Sequence, residues 1–263
     1  MAMSDRKDIK NVVEYVAELS SDTKMCKKIS NPYLPPIRGR FTDALINIKY
    51  RTTYHIWKRL IRRQARRDYH LNARLHILDI GCGPGNFIRC LEHWFHDANI
   101  VGLDMSRELV EYTMKRSNCA KILQSNAEYL PFRSDCFDVI SALQVVEHLS
   151  NPEKLLDEVC RILRKNSILL LATPNPQGAA ARLMGNGWGG IRDDHISLRR
   201  PEGWHALLEK SGFIIHKEGT TLFNGIPFIG RFPLGFPFQV LQALFGFFPW
   251  RFGESYMMIA TKV

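Results

Sequence analysis

Apolar and polar positions change rhythm along the 263-residue chain, and the change marks two regions. From Arg40 to Arg67 the residues Phe41, Leu45, Ile48, Ile56, Leu60 and Ile61 recur at mostly helical spacing. The opposite face gathers Lys58, Arg59, Arg62, Arg63, Arg66 and Arg67, so this helix ends as a basic amphipathic element. A proline-rich connector, SNPYLPPIRGR, and a first short helix around residues 8–19 precede it. After Asn72 short apolar runs alternate with amphipathic stretches, the pattern of βαβ units on a parallel sheet. Strands are predicted at 75–80, 98–104, 120–124, 137–142, 167–173, 213–219 and 256–262, the last of them antiparallel. Helices fit between them at about 86–96, 106–116, 152–164 and 202–211, the third opening on an Asn151-Pro152 cap.

The predicted fold class is therefore α/β, a seven-stranded, mostly parallel sheet with an antiparallel last hairpin. Residues 1–71 form a basic helical N-terminal extension and residues 72–263 the α/β domain. Two segments exceed a minimal alternating core. Residues 174–200 are glycine-rich and follow the C-terminal end of a strand, where open α/β sheets place their ligands. Residues 222–252 are an almost wholly apolar insertion with Arg231 and Arg251 as its only charges, and Pro227, Pro233, Pro237 and Pro249 interrupt it too often for a spanning helix.

Composition narrows the setting. With 45% hydrophobic residues the chain has enough apolar surface for a large core. The N-terminus lacks the apolar stretch of a secretory signal, which points to a cytoplasmic protein. Its six cysteines form no CxxC pair and read as buried, reduced thiols. Residues 1–74 hold 17 Lys and Arg against 7 Asp and Glu, whereas the rest of the chain is balanced at 19 of each, so the whole +10 excess lies at the N-terminus. That asymmetry fits either a segment facing something anionic or a solvated helix face.

The strongest chemical signal is Leu78-Asp79-Ile80-Gly81-Cys82-Gly83-Pro84-Gly85-Asn86, an apolar strand running into a glycine turn and then a helix. Asp104 ends the next strand 23 residues after Gly81, where a carboxylate accepts hydrogen bonds from ribose hydroxyls. The glycines read G-x-G-x-G, not the G-x-G-x-x-G that seats a dinucleotide pyrophosphate.

The stretch DIGCGPG followed by VGLDMS resembles motif I and the acidic loop of class I S-adenosylmethionine-dependent methyltransferases. The resemblance continues through SNAEYLPF (125–132), FDVI (137–140), VEHL (146–149), RIL (161–163), TPNP (173–176) and LEKSGF (208–213), and is similar to the ubiquinone and menaquinone-biosynthesis type. It implies a Rossmann-like domain that binds S-adenosyl-L-methionine and releases S-adenosylhomocysteine. By the same resemblance Asp79, Gly81, Cys82, Gly83 and Gly85 hold the methionine moiety, Asp104 the ribose, and Met105, Asn126 and Ala127 the adenine. Leu143 and Gln144 border the reacting sulfonium. Asn126 stands where the family usually has Asp, and its amide oxygen still accepts a hydrogen bond.

Methyl transfer needs alignment above all, because the sulfonium is already electrophilic. A hydroxyl acceptor needs a base, and the candidates are His148, beside Glu147, and His195, whose neighbouring carboxylates would raise its basicity. Both histidines also read as ordinary hydrogen-bonded loop or cap residues. No metal is expected, since Gln144 occupies the position of a ligand Glu in the ubiquinone-pathway pattern. The acceptor read from the apolar insertion is small and hydrophobic, lipid- or quinone-like, methylated at oxygen or carbon. The insertion is either a lid over a greasy pocket or, with the basic helix, a peripheral contact with an anionic membrane. Nucleic acid is disfavoured, because the Asn/Asp-Pro-Pro-aromatic motif of amino-methylating enzymes is absent after the fourth strand. A nicotinamide oxidoreductase lacks its glycine spacing here, and a non-catalytic cofactor-binding protein remains the other alternative.

Overall fold

In the computed structural model the described residues are 57–59, 61–62, 74–220 and 248–263. From residue 74 the order is β1 (His76–Ile80), α1 (Asn86–Trp94), β2 (Asn99–Asp104), α2 (Arg107–Met114), β3 (Lys121–Gln124), β4 (Phe137–Leu143), a 3-10 turn (Val146–His148) and α3 (Pro152–Ile162). Then follow β5 (Leu163–Pro174), α4 (Ala179–Met184), α5 (Pro201–Lys210), β6 (Phe213–Gly219) and β7 (Ser255–Lys262).

Alternation along the strands decides the layers. Ile77 belongs to one apolar cluster, Leu78 and Ile80 to the other, because successive strand residues face opposite ways. Val139 against Ile140, and Leu170 against Leu169 and Leu171, divide in the same way. Burial on both faces makes these strands continuous apolar runs. Phe87, Ile88, Leu91 and Trp94 of α1 cover one face with Val110 of α2, while Leu155 and Val159 of α3 and Trp204 and Leu208 of α5 cover the other. Local signals start the helices: Ser106 caps α2 by accepting from Leu109 N, and Asn151 caps α3 by accepting from Lys154 N ahead of Pro152.

The sheet order is β3-β2-β1-β4-β5-β7-β6, with β7 antiparallel to both neighbours and the other strands running one way. The chain moves outward from β1 to β3 and then returns to the other side of β1 as β4. Strand order thus reverses between β1 and β4, and open sheets place their ligand crevice at the C-terminal ends of such a pair.

The largest shift of a predicted strand boundary is at β5. α3 ends at Ile162 and β5 begins at Leu163, not at 167. Pairing passes from Phe137–Leu163 directly to Val139–Ile168, so β5 carries a bulge containing Asn166 at φ 61. Arg164 in this bulge reaches the buried Asp138 carboxylate at 2.5 Å. The polar run Arg164-Lys165-Asn166 therefore reads as a turn although its backbone belongs to the strand.

The described part of the basic helix docks on the domain. Residues 57–59 and 61–62 are helical, and Trp57 and Ile61 are fully buried in the α1-side cluster. Lys58 Nζ stands 5.7 Å over the Trp94 ring and Arg62 stands 5.9 Å from the Phe95 ring, with Arg62 also donating to Trp94 O at 3.3 Å. Two of the six cations on the polar face are thus turned onto the end of α1, and Arg63, Arg66 and Arg67 lie outside the described residues.

Most of the apolar insertion also lies outside the described residues, but its two ends are joined. Thr220 N donates to Phe248 O at 2.9 Å and Phe248 N returns a bond to Thr220 O at 3.2 Å, just past β6 and before β7. Asn175, fully buried, ties the end of β5 to the same place by donating to Trp250 O at 2.7 Å.

Candidate active site

The glycine turn after β1 is built from three glycines with different tasks. Gly81, Gly83 and Gly85 all have positive φ, at 66°, 52° and 74°. A Cβ on Gly81 would lie 2.3 Å from Val145 Cγ2, and one on Gly85 would lie 2.5 Å from Thr113 Cγ2. A Cβ on Gly83 would meet nothing within 4 Å. Gly81 and Gly85 pack the turn against the protein, whereas Gly83 borders the open space a ligand would use.

Asp104 fastens this turn to the end of β2. Its Oδ2 accepts from Gly83 N at 2.8 Å and its Oδ1 from Ser106 N at 2.9 Å. Each oxygen keeps a lone pair for a ribose hydroxyl. Burial raises the Asp104 carboxyl, against the pull of those backbone amides. Thr113 adds a second tie by donating to Gly83 O at 2.7 Å. Sequence reasoning missed Thr113, whose place on the buried side of α2 was its only signal.

Behind the turn, Asp79 is buried and accepts from Ser141 Oγ at 2.7 Å. Loss of hydration pushes its carboxyl up to about 7, with Asp104 adding to the rise and the Ser141 hydroxyl opposing it. Cys82 is also buried, its thiol pushed far up by the same loss of water. Met105 is exposed beside Asp104 as a face for a flat ring would be. Asn126 is exposed too, and its Oδ1 already accepts from Glu128 N at 2.9 Å, leaving one lone pair there. Ala127 is buried in the core below it.

Leu143 ends β4, and the next residue, Gln144, takes φ 59° while donating its N–H to Ala172 O at 2.7 Å. A left-handed backbone at a non-glycine residue is sparsely populated, and here it turns the chain back at the switch point. That turn delivers Val145 against Gly81 and leads into Glu147 and His148.

The structure brings all three candidate catalytic residues together. One ligand-type atom from each of Glu147, His148 and His195 lies within 4.8 Å of the others, and the two imidazole centroids are 4.8 Å apart. The link between such distant positions is backbone: Ser197 N donates to Glu147 O at 2.9 Å and Ser197 Oγ to Leu149 O at 2.7 Å. The segment 178–198 holds its own small core, with Trp188 buried against Ala180 and Ala181. Gly190 lies against the Trp188 ring, where a Cβ would stand 2.3 Å away, and its carbonyl holds His195 Nδ1 at 2.8 Å. His148 Nδ1 lies 2.9 Å from Asp194 O. A carbonyl only accepts, so both rings carry the proton on Nδ1 and the lone pair on Nε2.

Glu147 is fully buried, and neither carboxyl oxygen has a hydrogen-bond partner among the described residues. Burial raises its carboxyl to about 8; the Thr173 hydroxyl opposes the rise without completing a hydrogen bond. The expected rise in His195 basicity is corrected. Burial is the largest influence and His148 adds to it, so His195 is lowered. The Asp194 carboxylate pairs instead with Arg192 at 2.9 Å and stands 3.6 Å from His148.

A G-x-G-x-G turn, a ribose-type carboxylate, reversed strand order and an antiparallel β7 between β5 and β6 together fit the class I S-adenosylmethionine-dependent methyltransferases. The chain belongs to the methyltransferase-domain family, whose model matches residues 49–218. It is 31% identical over 114 residues to a malonyl-[acyl-carrier protein] O-methyltransferase of Legionella pneumophila, covering 42% of this chain and 40% of that one. It is 25% identical to a demethylmenaquinone methyltransferase of Lactiplantibacillus plantarum, over 56% of this chain and 67% of the relative. For the first three curated relatives the matched part spans only 37–51% of their length. The same fold occurs in a methyltransferase from Thermotoga maritima, at TM-score 0.57 and 20% identity over 85% of this chain and 97% of that one. S-adenosylmethionine is the cofactor of this family.

Asp79 sets an expected pH dependence. Its folded pKa of about 7 lies above the ordinary 3.8, so its stabilising effect is full below about 4 and is lost as pH rises through about 7. Urea unfolding of the ligand-free chain at a series of pH values should show stability falling across that window, Glu147 extending the fall to about 8, and Asp79→Asn should make the fall shallower. An unchanged profile in the variant would place the titrating group elsewhere.

Proposed function

We propose that this chain transfers the S-adenosylmethionine methyl group to a small, hydrophobic acceptor at oxygen or carbon, with the cluster of Glu147, His148 and His195 activating a hydroxyl acceptor. The observation that carries this reading is the surface around His195. Ile191 and Ile196 flank it, both exposed, and Leu183 of α4 on the same segment is 75% exposed. Exposed apolar side chains on the segment that carries one of the two imidazoles suit an apolar scaffold that bears one ionisable oxygen. The relative named for demethylmenaquinone methylation supports an acceptor of this kind.

Cofactor contacts follow the resemblance: Asp79 and the Gly81–Gly85 turn at the methionine end, Asp104 at the ribose, Met105, Asn126 and Ala127 at the adenine, and Leu143 and Gln144 at the sulfonium. The stem of the insertion lies where β6 ends and β7 begins, at the edge that also carries the glycine turn, whereas Lys58 and Arg62 contact the far end of α1, which weighs against a joint membrane surface with the basic helix. A helix that starts at the C-terminal end of β1 finishes at the opposite edge of the sheet. Nucleic acid is the second reading, and the partial engagement of the basic face by Trp94 and Phe95 weighs against it.

The test is transfer of labelled methyl from S-adenosylmethionine in total cell extracts. Label is expected in an organic-soluble small molecule whose mass rises by one methyl group. Label confined to nucleic acid or protein would overturn the acceptor class.

A further inference from the structure

We propose that Glu147, His148 and His195 bind a divalent transition-metal ion of the Zn²⁺ type, which takes the acceptor's oxygen as a further ligand. This deepens the proposed function and names how the same site would activate its acceptor. Gln144 supplies no carboxylate, and His195, arriving from the segment after β5, supplies the third ligand in its place.

Three observations converge. The donor atoms lie within 4.8 Å of one another on two chain segments fixed by the Ser197 bonds. Donors around a Zn²⁺ ion at about 2.0–2.1 Å stand roughly 3.3 Å apart, so an inward movement of about 1 Å closes the site. Both imidazoles bond through Nδ1 to a backbone carbonyl, which fixes the tautomer and leaves the lone pair on Nε2, a hydrogen-bond pattern that metal-binding histidines share. Glu147, fully buried with both oxygens unpartnered among the described residues, is a carboxyl group whose polar atoms and ionised form both lack a partner. Leaving such a group without a partner is unfavourable, and a cation between it and the two rings removes the deficit.

The donor set selects the ion. Two imidazole nitrogens and one carboxylate oxygen suit Zn²⁺ and its first-row neighbours, whereas Mg²⁺ and Ca²⁺ prefer oxygen throughout. Three protein ligands leave positions open, the arrangement of catalytic rather than structural sites. An acceptor hydroxyl bound there loses its proton to water more readily. Its oxygen then forms the new O–C bond as the C–S bond of the sulfonium breaks, and that electron pair stays on sulfur in neutral S-adenosylhomocysteine.

The experiment uses the full chain stripped with a chelator and titrated with Co²⁺ followed by visible absorption, and with Zn²⁺ alone followed by calorimetry. One equivalent should bind, giving cobalt ligand-field bands without a thiolate charge-transfer band. Glu147→Gln, His148→Gln and His195→Gln should each weaken binding roughly tenfold or more while S-adenosylhomocysteine affinity is retained. Lack of stoichiometric binding to the unaltered chain, a thiolate band, or full affinity in folded His195→Gln would each overturn the site. Metal binding without any methylated product would count against the acceptor reading alone. Methyl transfer by a chain that binds no metal would count against this inference alone.

Discussion

Asp104→Ala weakens S-adenosylhomocysteine binding by about 100-fold or more in calorimetry. The carboxylate holds the turn through Gly83 N and Ser106 N, and it is also the group placed to accept the ribose hydroxyls. Hydrogen bonds to a charged group contribute about 1.5–3 kcal/mol each, and 1.4 kcal/mol is about tenfold in affinity, so losing two already reaches about 100-fold. The loosened turn adds to that loss. Asp104→Asn should fall between, because its amide oxygen accepts one amide while its NH₂ faces another donor. Thermal unfolding controls for collapse of the fold, and undiminished affinity in folded Asp104→Ala would remove Asp104 from the ribose role.

Trp57→Ala lowers the unfolding free energy by about 3–5 kcal/mol in urea denaturation, as truncation of a large buried aromatic does. Trp57 is fully buried in the same cluster as Phe87, Leu91 and Trp94, so its removal opens a cavity over α1 and not at a detachable extension. A chain beginning at residue 72 should be destabilised at least as much, since it also loses Ile61 and the cations stacked on Trp94 and Phe95. A loss below about 1 kcal/mol in Trp57→Ala would show that this contact contributes little to the fold.

The strands were legible because double burial writes them as unbroken apolar runs, and the turn after β1 because glycine spacing is a local property. The start of β5 was not, since a bulge puts polar residues inside a strand. Periodicity marked the polar face of the basic helix correctly but carried no information on which stems lie along aromatic rings, as Lys58 and Arg62 do. Each candidate catalytic residue was found singly. Their meeting depends on the bonds from Ser197 to Glu147, 50 residues away, and to Leu149, and on a small core around Trp188 that a glycine-rich stretch conceals. Ser141 and Thr113 were hidden for the reverse reason: each is an ordinary buried polar residue until its partner, Asp79 or the Gly83 carbonyl, is known.

The paired bonds between Thr220 and Phe248 hold two points of the chain together across the apolar segment. The entropy of closing a chain between two such points grows only with the logarithm of the length between them, about 0.6 kcal/mol for each doubling. Descendants of this chain are therefore free to lengthen, shorten or exchange that segment while β6 and β7 stay in register and the cofactor turn is left alone. Change in that segment is thereby uncoupled from the sheet, because only the two paired residues have to be kept.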